Sequence, residues 1–142
     1  MFSCLNCGAP LTARKGCMNM YCDNSCQAAK RSRDIVGAWL ECPSPDNFYH
    51  KGSQIRVAIR RHLLAESAHA CQICGWDKLH PLDGKSTLEV DHVDGDWHNC
   101  APSNLRVICP NCHSLTRNYK GRNKGSGREY RRGANRPNSK SC

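Results

Sequence analysis

Twelve cysteines stand in a chain of 142 residues, and eight of them fall in four close pairs. Cys-x-x-Cys occurs at Cys4/Cys7, Cys71/Cys74 and Cys109/Cys112, and Cys22-x-x-x-Cys26 makes the fourth pair. A secreted disulfide framework calls for a leader peptide, and Met1–Pro10 lacks its basic-then-apolar pattern. In a reducing compartment, paired thiolates at this spacing are best explained by structural zinc. Two sulfurs three residues apart bind one ion from a tight turn, and two such turns complete a tetrahedron. The expected sets are Cys71, Cys74, Cys109 and Cys112, and Cys4, Cys7, Cys22 and Cys26. Cys17, five residues before Cys22, competes for a place in the second set. Cys42, Cys100 and Cys142 are left over and read as ordinary reduced thiols.

A second group of residues goes beyond zinc. Asp91 and His92 are adjacent, Asn104 lies twelve residues after His92, and His113 follows Cys112 directly. Four thiolates already fill the neighbouring zinc shell, so His113 is not needed there. Neighbours in a strand point to opposite faces. Asp91 can therefore turn toward His113 and share a second metal ion with it, while His92 turns elsewhere. A carboxylate and an imidazole make a sparse site with positions left for water and phosphate oxygens. Phosphodiester hydrolysis needs such a site, with a neutral histidine to take a proton from the attacking water. The competing reading leaves His92 and His113 as partly exposed turn residues. Asp94 and Asp96 belong to an acidic-glycine loop and read as turn formers, and His98 reads as a solvated loop histidine.

The elements that must position these groups follow from local pattern. Residues 1–42 read as a zinc knuckle followed by a helix over ~25–41, in which Ile35 and Val36 precede Trp39 and Leu40 by one turn. Pro43 and Pro45 end that helix, and 43–53 has linker composition. Residues 54–119 form the main domain. It opens with a helix capped by Ser53 and running to about Ser67, with an apolar stripe of Ile55, Ile59, Leu63 and Leu64. Arg56 and Arg60 share its other face and read as solvated. A strand candidate at Thr87–His92, a polar loop and the apolar run Leu105–Ile108 come next. Pro110 suits the first position of a helix over about 110–119. Residues 120–142 complete the chain as a basic, flexible tail.

Charge and hydropathy narrow the partners. The chain carries 21 Lys+Arg against 12 Asp+Glu, a formal +9. From Ser114 onward there are nine basic residues and one acid, so nearly all the excess sits at the C-terminal end. Such a segment is attracted to polyanions, though it also serves as a solubilising tail. Mean hydropathy is −0.67 and no apolar run approaches a membrane span, so the expectation is a soluble protein of the cytoplasm with no membrane partner.

The segments LEVDHVDG and SNLRVICPNCHSLT resemble the HNH endonuclease family, with its ββα-metal fold. Asp91-His92, Asn104 and His113 match the motif, and Cys71, Cys74, Cys109 and Cys112 match its zinc-bearing branch. CLNCGAPLT, IRRHLLAES, CQICGW and GRNKGSGREYRR extend the likeness to small bacteriophage-type HNH proteins. The resemblance implies a small α+β protein stapled by zinc: a knuckle and helix, then the ββα-metal domain held by a four-cysteine site, then the basic tail. It implies a metal-dependent endonuclease acting on double-stranded DNA in a bacterial host cell, encoded by a phage or prophage. His92 would be the general base, Asp91 and His113 would ligate one catalytic divalent ion (Mg2+ or Mn2+), and Asn104 would hydrogen-bond across the loop. Arg117, Lys120, Arg122, Lys124, Arg128, Arg131 and Arg132 are the expected DNA contacts. Two rival readings are a non-catalytic zinc protein that regulates DNA, and a phage packaging or assembly module docking through its N-terminal knuckle.

Overall fold

The computed structural model describes residues 2–11, 19–50 and 54–122. Cys17, Ser53 and Cys142, together with Lys124, Arg128, Arg131 and Arg132, lie outside these described residues. The described chain is a small α+β structure with three two-stranded antiparallel ribbons. Strand β1 (Phe2–Ser3) pairs with β2 (Pro10–Leu11) and closes a knuckle around Cys4 and Cys7. Helix α1 (Asn24–Glu41) begins where the extended Asp23 accepts the Cys26 N–H at 2.8 Å, a side-chain N-cap. It stops before Pro43, as expected, and its one fully buried residue is Trp39.

The next segment is more structured than its composition suggests. Residues 43–53 read as a linker, yet Pro45–Phe48 form a helical turn, α2, and Tyr49–His50 form strand β3. Strand β4 (Gln54–Ile55) pairs with β3, so helix α3 starts only at Val57 and runs to Glu66. Ile55 thus belongs to a ribbon rather than to the helical stripe. Phe48 is fully buried against Trp39, with ring centroids 5.9 Å apart, which is why proline-rich sequence here folds onto the core. Arg56 and Arg60, read as solvated, instead tie elements together. Arg56 donates to the Asp46 carbonyl at 3.0 Å and Arg60 to the Leu88 carbonyl at 2.8 Å. Cys42, read as a reduced thiol, is disulfide-bonded.

Strand β5 (Glu89–His92) pairs antiparallel with β6 (Leu105–Ile108), setting Asp91 opposite Arg106 and His92 opposite Leu105. Helix α4 follows over Pro110–Ser114, half the expected length. Leu115 caps it, and the Thr116 hydroxyl donates to the His113 carbonyl at 2.8 Å, so the chain turns away there. Two apolar clusters fill the interior. Leu64, Cys71, Leu88, Val107, Ile108 and Cys109 form one; Trp39, Phe48, Ile59, Cys100 and Leu105 form the other. Leu63 and Val90 pack against both and join them. Trp39 also donates its indole N–H to the Cys100 carbonyl at 2.8 Å, fastening α1 to a loop 61 residues away.

Removing that anchor has a calculable cost. Trp39→Ala should destabilise the fold by about 3–5 kcal/mol in urea denaturation, as large core truncations do. Leu40→Ala, one residue along and 48% exposed, should change stability by less than about 1 kcal/mol.

Candidate active site and metal centres

The two Cys-x-x-Cys-Gly turns at Cys4 and Cys71 are built alike. In each the glycine (Gly8, Gly75) has φ +75° and returns its N–H to the first cysteine's carbonyl, at 2.9 and 2.8 Å. That left-handed conformation is open to glycine at little cost. The first cysteine's own N–H donates at 2.8 Å to the residue after the glycine, Ala9 or Trp76. The second pair of each set comes from a helix start. Cys22 and Cys26 flank the Asp23 cap of α1, while Cys109 caps α4 and Cys112 lies in its first turn. The turns and helix starts bring the four thiols of each set within 4.8 Å of one another.

The spacing within each set suits one metal ion. Cys7 lies 3.5 Å from Cys22 and 3.8 Å from Cys26 (Sγ to Sγ), and Cys74 lies 3.7 Å from Cys109. Two sulfurs on a tetrahedral ion with ~2.3 Å bonds stand about 3.8 Å apart. A disulfide would close that gap to ~2.05 Å. Titration points the same way. Burial pushes the Cys71 thiol up, but the backbone N–H groups of Cys74, Cys109 and Ile73 outweigh it and bring the thiol to about 6. Cys112 is pushed up to about 12, first by its hydrogen bond to Cys74 and then by burial. Cys4 and Cys22 repeat the contrast at about 6 and about 12. One thiolate forms readily, and further ones require a cation between them. The residues therefore fit a thiolate-bound metal in both places.

Strand β5 then divides its side chains between two faces. On one face, Asp91 Oδ1 lies 3.6 Å from His113 Nε2, while Arg106 takes Asp91 Oδ2 through Nε at 2.9 Å and Nη2 at 2.8 Å. Glu89, two residues before Asp91 and on the same face, hydrogen-bonds the other ring nitrogen of His113, Nδ1. Asp91 is buried; His113 and Arg106 keep partial access to solvent. Two donors on one ion with ~2.1 Å bonds can stand up to about 4.2 Å apart, so Asp91 Oδ1 and His113 Nε2 fit a shared divalent ion. Among the described residues only the two thiol sets bring three or more such donors together, so this site is the sparser kind.

On the other face His92 enters an aromatic pocket. The Phe48 ring stands edge-on at 5.8 Å and the Tyr49 ring lies nearly parallel at 6.4 Å, with the Tyr49 hydroxyl 3.3 Å from His92 Nε2. Burial lowers the His92 pKa below its ordinary 6.5, against the opposing pull of Asp91, Asp94 and Asp96, so the ring is neutral at neutral pH.

Asn104 is buried and staples the loop after His92. Its amide nitrogen donates to Asp94 Oδ1 at 2.8 Å and to the Asn99 carbonyl at 2.9 Å, and its own carbonyl oxygens accept from Asp94 and Val93 N–H groups. Asp94 thus serves as an internal acceptor. Asp96 holds His98 Nδ1 at 2.9 Å, and the His98 ring lies 3.8 Å from that of Trp97. Gly95 sits under the Asn118 side chain, where a Cβ would come within 2.6 Å. Cys100, in the same loop, is fully buried and burial pushes its thiol up to about 12. Arg117, Lys120 and Arg122 are exposed just beyond α4. Tyr119 links Lys120 to the site, with its ring 5.1 Å from His113 and the Lys120 ammonium 5.0 Å from its centroid.

Sequence reasoning missed Glu89, Arg106, Phe48 and Tyr49. The period-two alternation of β5 carried the signal for Glu89, and the register opposite Asp91 that for Arg106. Nothing local to Phe48-Tyr49 could reveal a partner more than forty residues away.

Comparison with known proteins gives one curated match. Over 85 residues the chain is 35% identical to H-N-H endonuclease F-TflIV of Escherichia phage T5. The match covers 58% of this chain and 37% of that protein, so the chain spans little more than a third of its relative's length. No family model matches, and no solved structure matches.

Metal content checks the thiol geometry directly. Chain loaded with Co2+ should bind two equivalents with intense thiolate-to-cobalt absorption, and Cys109→Ser should lose one equivalent while keeping the other.

Proposed function

We propose that the chain is an HNH-type, metal-dependent endonuclease that hydrolyses phosphodiester bonds of double-stranded DNA, a reading supported by its likeness to the phage T5 endonuclease. The single observation carrying this reading is the split of strand β5. Asp91 and His113 stand 3.6 Å apart on one face, and a half-buried, neutral His92 stands on the other. In this reading β5, β6 and α4 are the ββα unit, and the two four-cysteine sets hold structural zinc.

Each side chain then has a task. His92 takes the proton of the attacking water, for which a neutral imidazole is required. Asp91 Oδ1 and His113 Nε2 hold a divalent ion such as Mg2+ or Mn2+, which would neutralise charge building on the phosphate and leaving oxygens. Arg106 occupies only Oδ2 of Asp91, leaving Oδ1 for this purpose. Asn104 keeps the loop after His92 at a fixed angle to β6. Arg117, Lys120 and Arg122, with Lys124, Arg128, Arg131 and Arg132 of the tail, would meet backbone phosphates, giving affinity with little sequence information. The phage origin of the relative suggests a phage or prophage source, in which case the DNA is met inside a bacterial host. Among the described residues no helix is long and apolar enough to cross a membrane.

Cleavage of supercoiled plasmid with Mg2+ or Mn2+ tests the proposal. His92→Ala should lower the rate by roughly 10²–10⁴, the usual contribution of a general base. Asp91→Ala should lose activity while keeping both equivalents of thiol-bound metal. A His92→Ala variant that cuts as fast as wild type would sink the mechanism.

A further inference from the structure

We propose that Glu89 is a positioning residue for His113: its carboxylate holds the ring by Nδ1 and so aims Nε2 at Asp91. The inference rests on Asp91 and His113 being the ligands of the divalent ion in the proposed function.

Side chains two apart on a strand share a face and stand about 6.7 Å apart along it. Glu89 and Asp91 are so placed on β5, and the His113 ring, carried by α4, lies between their carboxylates. Glu89 Oε2 hydrogen-bonds Nδ1, and Nε2 lies 3.6 Å from Asp91 Oδ1. An ionised carboxylate can only accept, so the nitrogen facing Glu89 is an N–H. A neutral imidazole with its proton on Nδ1 carries its lone pair on Nε2, the side on which Asp91 Oδ1 lies. One cation can then be held by both. The hydrogen bond to a carboxylate also makes the ring a stronger electron donor to that cation.

Neighbouring contacts leave the ring one orientation. Tyr119 stands against it at 78°, with centroids 5.1 Å apart. Arg106 occupies Asp91 Oδ2 through Nε and Nη2, which keeps Oδ1 turned to the histidine. The two carboxylates differ in surroundings, for the Asp91 side chain is 10% exposed and that of Glu89 48%. Glu89, Asp91 and His113 do not bring one donor atom each within 4.8 Å of one another, as the thiol sets do. Glu89 therefore stands behind the histidine and not on the ion. Its carboxylate makes no other hydrogen bond or ion pair among the described residues, so removing it breaks only the hold on His113.

Mn2+ titration of the zinc-loaded full chain, followed by the electron paramagnetic resonance of free Mn2+, reads the site without any cleavage. Wild type should bind one Mn2+. Glu89→Ala should bind it about 10–100-fold more weakly, the usual loss for a group behind a metal-bound histidine. Glu89→Gln, whose amide oxygen still accepts from the Nδ1–H, should recover most of that affinity. Both variants should keep their thiol-bound metal, which checks the fold. Wild-type affinity in Glu89→Ala overturns the proposal. So does a Glu89→Gln variant as weak as Glu89→Ala, which would make Glu89 a ligand, and so does a wild-type chain that takes up no Mn2+. A chain that binds Mn2+ with the help of Glu89 yet cuts no DNA sinks the nuclease reading alone. One that cuts DNA while Glu89→Ala keeps wild-type affinity sinks this proposal alone.

Discussion

Thirty-four residues separate Cys74 from Cys109, and gathering the thiols on either side of them is the constraint on which the rest of the structure depends. Closing a loop of that length costs chain entropy, and few apolar side chains are available to offset it. Cys71 and Cys109 are themselves buried with Leu64, Leu88, Val107 and Ile108, so the cluster is continuous with one of the two apolar cores. The knuckle also supplies hydrogen bonds to the sheet. Gln72 donates its N–H to the Val107 carbonyl at 2.9 Å, and its side-chain oxygen accepts the Val107 N–H at 2.6 Å. The free edge of β6 is thereby satisfied by a residue from between two cysteines. Strand β6 lies between Asn104, which staples the loop, and Cys109, which caps α4, and so links thiol cluster and candidate site along a single rigid segment.

Alternation along β5 separates two environments that would spoil each other if mixed. Asp91 needs polar company, and it has the Arg106 guanidinium and the His113 ring. His92 needs company that keeps it uncharged, and it has Phe48 and Tyr49. A one-residue slip between β5 and β6 would exchange the two faces. Packing of Val90 against both apolar clusters, and the hydrogen bonds of Asn104 across the turn, hold the register.

What could be read from the sequence was whatever depends on short spacing. The cysteine pairs, helix α1, the paired strands around the loop and the opposing faces of Asp91 and His92 all follow from residues within a few positions of one another. What could not be read depends on chain meeting chain. Residues 43–53 carry prolines and polar residues like a linker, yet Phe48 finds Trp39 from one direction and His92 from the other. Arg56 and Arg60 look solvated on a helical wheel, but backbone carbonyls of other segments accept from them. Helix α4 ends early because Thr116 bonds back to His113, a competition that pattern alone does not resolve.

Helix α1 behaves as a strut. Cys26 stands at its start in one thiol cluster, and Trp39, thirteen residues on, is locked into the core beside the candidate site. Arg33 reaches back from mid-helix to the Asn6 carbonyl at 3.1 Å, bracing the knuckle against the shaft. At 1.5 Å per residue the strut holds the N-terminal cluster about 20 Å from Trp39. On a B-form duplex, with 3.4 Å per step, that is roughly six base pairs. Under the proposed nuclease reading the knuckle is thus kept out of the chemistry: any duplex contact it made would fall at a set number of steps from the bond to be cut, and changing the length of α1 by one turn would move that contact by one to two base pairs.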